Sequence, residues 1–119
     1  MIKFEPLSAS AIKIVPSDKL TVADFRLLGP QVDAMLDRSD RIRLLVDASR
    51  FEGWESFKAF ELHSGFVKIH QRYVERLALV VGQGWPEWLV ETIRMFLHRD
   101  GKAFELASEA EAVQFILEG

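Results

Sequence analysis

Two short segments of this chain carry apolar residues at consecutive positions, and this feature constrains the fold most. Ile42–Asp47 places Leu44, Leu45 and Val46 side by side, and residues 76–82 read RLALVVG. Successive side chains of a strand point to opposite faces, so such runs indicate strands that are buried on both faces. Segments of helical periodicity separate the two runs, and this alternation predicts an α/β fold with a mostly parallel sheet.

The rest of the pattern predicts elements in the order ββαβαβαβα. Thr21 and Asp24 have the spacing of a capping box that opens the first helix. Pro30, inside that helix, predicts a kink or a split. Ser108 and Glu111 have capping-box spacing before the last helix. The other predicted elements are strands at 2–4, 11–15 and 102–106, a helix from 56 to about 73, and a helix that begins at Gly84-Trp85-Pro86.

The second predicted helix has two apolar stripes. At about 100° per residue, Phe57, Phe60 and Val67 lie roughly opposite the longer stripe. A helix that rests on one sheet needs only one apolar stripe. The second stripe must therefore be covered by another element, a subunit, a ligand or a lipid surface. The longer stripe consists of Ala59, Leu62, Phe66, Ile69 and Tyr73.

Length and composition exclude several classes of protein. The chain has 119 residues, which fits a single domain over residues 1–119. Its net charge of −3 argues against a nucleic-acid partner, because phosphate binding needs a concentrated basic surface. The chain has no cysteine, which excludes disulfides and cysteine-ligated metals. It shows neither a signal-peptide pattern nor an apolar run near the roughly 20 residues that span a bilayer, so a cytoplasmic protein is expected.

Three segments occur in a distinctive order: RIRLLVDASRFEGWESF, GFVKIHQRYVERLALVVG and WPEWLVE. In this order and spacing they resemble the SpoIIAA-like family, which is related to STAS domains, over nearly the whole chain. The resemblance implies a SpoIIAA-like, STAS-like β/α superhelix of four layers and no enzymatic activity. It also implies a homodimer, and the binding of apolar or lipid-like ligands or of membrane surfaces, by analogy with the CRAL-TRIO fold. STAS antagonists carry a phosphorylatable serine near the position of Ser56, although GWESF replaces their DSSG-type sequence here.

The candidate site residues follow the carboxyl ends of strands, where open α/β sheets bind ligands. Asp47 either caps the following loop through backbone N–H groups or anchors a ligand. Ser56 is either a helix N-cap or, by its position in the resemblance, a regulatory phosphorylation site. Large aromatic residues either form a small core beneath the loops or line an apolar cavity. These residues are Phe51, Trp54, Phe57, Phe60, Trp85 and Trp88.

Catalysis, metal binding and a cofactor are not predicted. His63 and His70 are about 10 Å apart on an ideal helix, which is too far for one metal ion. Ser56, His70 and Asp47 could form a triad on paper, but the chain has no G-x-S-x-G elbow to expose a nucleophile. It also lacks the glycine spacings of phosphate-binding loops.

Two hypotheses for function remain. The first is a non-enzymatic binding module, in which the candidate aromatic residues line a cavity for an apolar or lipid-like ligand. Its second helix would act as a movable lid and could contact a membrane peripherally. The second is a STAS-like regulatory protein that binds a protein partner and is switched at or near Ser56.

Overall fold

The computed structural model describes residues 1–82 and 101–118. It contains two short 3₁₀ turns, Gln71–Tyr73 and Leu106–Ser108. The helices are α1 (Val22–Leu36), α2 (Phe57–His70) and α3 (Glu109–Leu117). The strands are β1 (Ile2–Ser8), β2 (Ala11–Leu20), β3 (Ile42–Asp47), β4 (Arg50–Trp54), β5 (Val74–Val81) and β6 (Gly101–Glu105).

The strands form a mixed sheet in the order β1-β2-β3-β5-β6, and β4 pairs with the far end of β2. Only the β1–β2 pair is antiparallel among the strands that the structure describes. β2 is long enough for two parallel neighbours, because its residues 11–14 pair with β3 and its residues 17–20 pair with β4. The predicted mostly parallel α/β fold is confirmed.

β4 is a strand that the sequence did not predict, since its residues were expected to form a loop. β1 also runs further than expected, to Ser8 and through Pro6. Proline is tolerated there because β1 is an edge strand and its pairing with β2 shifts register just after Pro6. The predicted helix at 84–86 lies outside the described residues.

The sheet separates two apolar clusters, one on each face. Ile42 of β3 and Phe25 of α1 belong to the cluster beneath α1 and α2. Leu45 and Val80 belong to the cluster beneath α3, together with Ile116. β3 and β5 therefore contribute side chains to both clusters, as their two-sided apolar sequence predicted.

The ends of the helices confirm one predicted cap and contradict another. The Thr21 hydroxyl accepts the backbone N–H of Asp24 at 3.2 Å, and the Asp24 carboxylate accepts the backbone N–H of Thr21 at 2.9 Å. α1 continues through Pro30 without the split considered above. Ser108 makes no side-chain cap bond, so the predicted box with Glu111 is wrong. Ser108 ends a 3₁₀ turn, and its backbone (φ −105°, ψ 22°) is not in the extended conformation usual for an N-cap.

Candidate functional site

Asp47 ends β3 and fixes the turn that leads into β4. Its carboxylate accepts the backbone N–H of Ser49 at 3.1 Å and the Ser49 hydroxyl at 2.6 Å. The backbone N–H of Ala48 binds the carbonyl of Val80 at 2.9 Å, which ties this turn to β5. Asp47 is buried. The loop-capping interpretation therefore describes this residue, and its role as a ligand anchor stays a prediction.

β4 ends in an aromatic cluster that joins it to α2. The Trp54 indole N–H donates to Nδ1 of His63 at 3.0 Å. The Trp54 ring meets Phe51 and Phe60 edge to face, with centroid distances of 5.2 and 5.0 Å. The His63 ring stacks on Phe25 of α1 at 5.6 Å. The indole N–H of Trp54 thus has a side-chain hydrogen-bond partner.

His63 is held in its neutral form by this arrangement. Because Nδ1 accepts a hydrogen bond, the proton of the neutral ring lies on Nε2. Burial among aromatic rings disfavours the charged imidazolium and lowers the pKa of His63 below its ordinary value of 6.5. His63 is therefore a structural acceptor that links β4, α1 and α2.

Ser56 precedes α2 and caps it. Its hydroxyl accepts the backbone N–H of Ala59 at 3.1 Å, which confirms the predicted N-cap. Ser56 is exposed, and the adjacent Phe57 exposes 74% of its surface. The start of α2 therefore presents a hydroxyl and a large apolar ring together.

The second stripe of α2 faces outward, while the first stripe is only partly buried. Phe60 and Val67 are 42% and 46% exposed, whereas Ala59 is fully buried. Ile69 is wrongly assigned to the buried stripe, because it is 64% exposed. It lies in the last turn of α2, where it lines an open cleft with Asp33 and Leu36 of α1.

Two open depressions flank α2 in the described part of the chain. The cleft between the ends of α1 and α2 measures about 410 Å³ and is partly polar, since Asp33, Asp40 and His70 line it. His70 bridges the two helices there, with Nε2 3.2 Å from the Asp33 carboxylate. The second depression is on the outer face of α2 and measures about 220 Å³. Its lining consists of Trp54, Phe60, His63, Ser64 and Val67.

The structure brings together all of the predicted aromatic residues that it describes. Phe51, Trp54, Phe60 and Phe57 form a chain of ring contacts from β4 to the start of α2. Trp85 and Trp88 lie outside the described residues, and their convergence with Trp54 stays a prediction. Among residues 1–82 and 101–118, no group of three or more His, Asp or Glu side chains could hold a metal ion.

Sequence reasoning missed the structural role of His63. It considered this histidine only as a possible metal ligand. His63 lies 9 residues beyond Trp54 along the chain, and no local rule links a strand-end indole to that position. Its place between the two apolar stripes of α2 was the one available signal that it is partly buried.

A mixed, mostly parallel sheet with helices on both faces defines an α/β domain. The family model described as SpoIIAA-like matches residues 11–117. The chain therefore belongs to the SpoIIAA-like family. No curated protein sequence shows significant similarity to it.

Two solved structures share the fold. One is an uncharacterized protein of the DUF3478 family with a SpoIIAA-like fold from Shewanella loihica PV-4. It is 22% identical, with a TM-score of 0.76 over 98% of this chain and 92% of that one. The other is the anti-sigma factor antagonist SpoIIAA in its unphosphorylated form, which is 13% identical, with a TM-score of 0.67 over 100% of both chains. In the described residues, no helix is long and apolar enough to cross a membrane.

Proposed function

We propose that this protein is a non-enzymatic regulatory module that binds a protein partner at the start of α2. The observation that carries this proposal is the pairing of Ser56 with Phe57. Ser56 is exposed and caps the helix, and Phe57 leaves 74% of its surface in solvent. An exposed aromatic ring of this size is a typical anchor for a protein interface.

Ser56 gives this surface a simple chemical switch. A phosphate on its hydroxyl would lie at the amino end of α2, where free N–H groups and the helix dipole favour negative charge. The modification would leave the helix intact and would change the charge directly beside Phe57. A partner that buries Phe57 would then have to accept or exclude that charge.

The fold likeness supports this choice over catalysis. One of the two related structures is named as an anti-sigma factor antagonist in its unphosphorylated form, which is a regulatory protein with a phosphorylated counterpart. The described site offers no arranged nucleophile and base, because the hydroxyl of Ser56 is engaged with Ala59 and His70 contacts Asp33.

Site-specific photo-cross-linking in cells tests the proposal. A photoreactive residue at position 57 should give an adduct of discrete mass with one partner protein, whereas the same residue at Glu111 on α3 should not. Ser56→Asp, which adds charge and keeps a capping side chain, should change the yield at position 57. Ser56→Asn is the matched neutral cap and should leave it unchanged. Equal adducts from positions 57 and 111, or no adduct at 57, would contradict the proposal.

An apolar or lipid-like ligand is the second candidate, and the depression beside Trp54 favours it. Trp54, Phe60 and Val67 give this depression an apolar lining, and Phe57 continues the apolar surface. Its volume of about 220 Å³ is below the roughly 300–1,000 Å³ usual for ligand pockets. A protein side chain therefore fits this depression better than a lipid chain does.

Native mass spectrometry and vesicle sedimentation separate the two candidates. A ligand-binding module should retain an apolar species after gentle purification, or should sediment with vesicles of phosphatidylglycerol and phosphatidylethanolamine. Phe60→Asp should abolish either behaviour. Leu117→Asp on α3 is the control, because Leu117 is a comparably exposed apolar residue at 48%. If the purified protein retains no apolar species and does not bind vesicles, the lipid candidate is eliminated. The protein-partner proposal then stays in place.

A further inference from the structure

The cleft between the carboxyl ends of α1 and α2 combines carboxylates with apolar side chains and has the size of a ligand site. Its volume of about 410 Å³ lies within the roughly 300–1,000 Å³ usual for such sites. The cleft is separate from the surface around Phe57, because Phe57 begins α2 and a helix of 14 residues is about 21 Å long. The residues that line the cleft are Asp33, Leu36, Asp40, Ile69, His70 and Tyr73.

Two hydrogen-bond acceptors face each other in this cleft when His70 is neutral. Nδ1 of His70 lies 2.9 Å from the carbonyl oxygen of Phe66, which can only accept, so the proton of the neutral ring lies on Nδ1. Nε2 of that ring then presents a lone pair 3.2 Å from the Asp33 carboxylate. Two acceptors at this distance need a donor that serves both. A second proton on the ring is one such donor, and a cationic N–H group from outside the chain is another.

The carboxylates of the cleft lack a basic partner within the chain. In residues 1–82 and 101–118, no cation lies within 4 Å of the Asp40 carboxylate, and the Asp33 carboxylate pairs only with His70. The last turn of α1 contains no basic residue, although the carboxyl end of a helix favours cations. The carboxyl ends of both helices add partial negative charge to the cleft. The basic side chains of the flanking segments are exposed and do not line it: Arg38, Arg41, Lys68 and Arg72.

The acceptors of the cleft suit a guanidinium better than an ammonium. A guanidinium is planar and carries five N–H donors, enough for Asp33, Asp40 and Nε2 of His70 together. An ammonium is a compact and strongly hydrated point charge with three donors. Tyr73 offers its ring to a guanidinium as well, and the chain's own Arg72 already lies over that ring at 4.9 Å from its centroid.

The apolar part of the cleft and its openness favour a side chain that a larger molecule carries. Leu36 is half-buried and Ile69 is 64% exposed, so both can contact the methylene stem of an arginine. A small cation in an open cleft keeps much of its hydration and gains little from apolar contact. An arginine of a protein adds contacts outside the cleft and is already positioned by its own fold.

We propose that the cleft between α1 and α2 is a docking site for an arginine side chain of a partner protein. The guanidinium donates to the two carboxylates and to Nε2 of His70, and the stem lies on the two aliphatic side chains. The site is at the opposite end of α2 from Phe57. The proposal therefore does not rest on a partner or a switch at that residue.

Nuclear magnetic resonance of the ¹⁵N-labelled full chain, titrated with a blocked tripeptide, tests the proposal. The probe is acetyl-Leu-Arg-Leu-amide, and the matched control replaces arginine with citrulline, which keeps the shape and removes the charge. At about pH 8, above the ordinary range of an imidazole, the arginine peptide should shift the amide signals of Asp33, Asp40 and His70 with a dissociation constant on the order of 1 mM. The signal of Phe57 should not move. The citrulline peptide should bind about tenfold more weakly or less.

Two charge-removing variants identify the acceptors. Asp33→Asn and Asp40→Asn each keep the shape of the side chain, and each should raise the dissociation constant about threefold or more. Glu111→Gln on α3 makes the same acid-to-amide change away from the cleft and should leave the constant unchanged. Both aspartates are exposed, so the variants should fold, and circular dichroism melting checks this directly.

Two further measurements separate a protein side chain from a small cation. Methylguanidinium has the same charged group without the stem and the peptide, and should bind about tenfold more weakly than the arginine peptide. A photoreactive residue at position 69 should give an adduct of discrete mass with one protein in cells. Asp40→Asn in the same chain should reduce the yield of that adduct.

Four outcomes would overturn the inference. The absence of shifts around the cleft at about 20 mM peptide would show that it holds no guanidinium site. Equal binding of the arginine and citrulline peptides would show that charge does not select the occupant. Methylguanidinium that binds as tightly as the peptide would make the cleft a site for a small cation. An adduct at position 69 that Asp40→Asn leaves unchanged would mean that the protein captured there does not use the carboxylates. None of these outcomes touches the cross-linking test at position 57, so the two proposals fail separately.

Discussion

The hydrogen bond between Trp54 and His63 predicts a specific energetic coupling between β4 and α2. The indole N–H donates to Nδ1 of His63 at 3.0 Å, in a partly buried setting. His63→Leu removes the acceptor and leaves the indole without a protein partner. Trp54→Phe removes the donor and keeps a ring to pack against Phe51 and Phe60. The two changes therefore act on one bond from opposite sides.

The expected magnitudes follow from the burial of this pair. A buried donor left without its partner costs about 1–3 kcal/mol, and the lost stacking of His63 on Phe25 adds roughly 0.5–1.5 kcal/mol. His63→Leu should therefore lower the free energy of unfolding by about 2–3 kcal/mol. In the Trp54→Phe background the donor is absent, so the same change should cost about 1 kcal/mol less.

Urea denaturation of the four proteins of this cycle measures the coupling. With a slope of about 1–3 kcal/mol per molar urea, a coupling of about 1 kcal/mol moves the midpoint by roughly 0.5 M. His70→Leu is the matched control, because His70 contacts Phe66 and Asp33 and its effect should add to that of Trp54→Phe. A coupling energy of zero between Trp54 and His63 would show that the bond contributes nothing to stability.

Three further predictions concern stability. Burial gives His63 a lower pKa in the folded protein than in the unfolded chain. The contribution of His63 to the free energy of unfolding is therefore complete above about pH 6.5 and is lost as the pH falls through the lowered pKa. His63→Gln should reduce this loss of stability, measured by urea denaturation between about pH 7.5 and 5. An added Cβ meets nothing within 4 Å at either Gly65 or Gly53, but only Gly53 has a positive φ, of 107°. Gly65→Ala should therefore stabilise the protein by about 0.5–1 kcal/mol and raise its melting temperature. Gly53→Ala should lower the melting temperature. Thr21→Ala removes the capping bond to Asp24 and should cost about 0.5–2 kcal/mol in chemical unfolding.

The parts of the fold that the sequence predicted are those specified by local pattern. The two-sided apolar runs of β3 and β5 identify buried parallel strands wherever they occur. The capping box of Thr21 and Asp24 acts over three residues, so its spacing is visible directly. β4 is different, because its five residues pair with the far end of β2 and include Gly53 at positive φ. Its identity as a strand depends on that distant partner.

In the candidate site, too, local pattern predicted some features, and the packing of distant elements determined the others. The outward stripe of Phe57, Phe60 and Val67 follows from helical periodicity alone. The exposure of Ile69 does not, because it depends on how far α1 and α2 diverge at their ends. The bond from Trp54 to His63 joins two elements across a turn, and only their packing brings the two rings together.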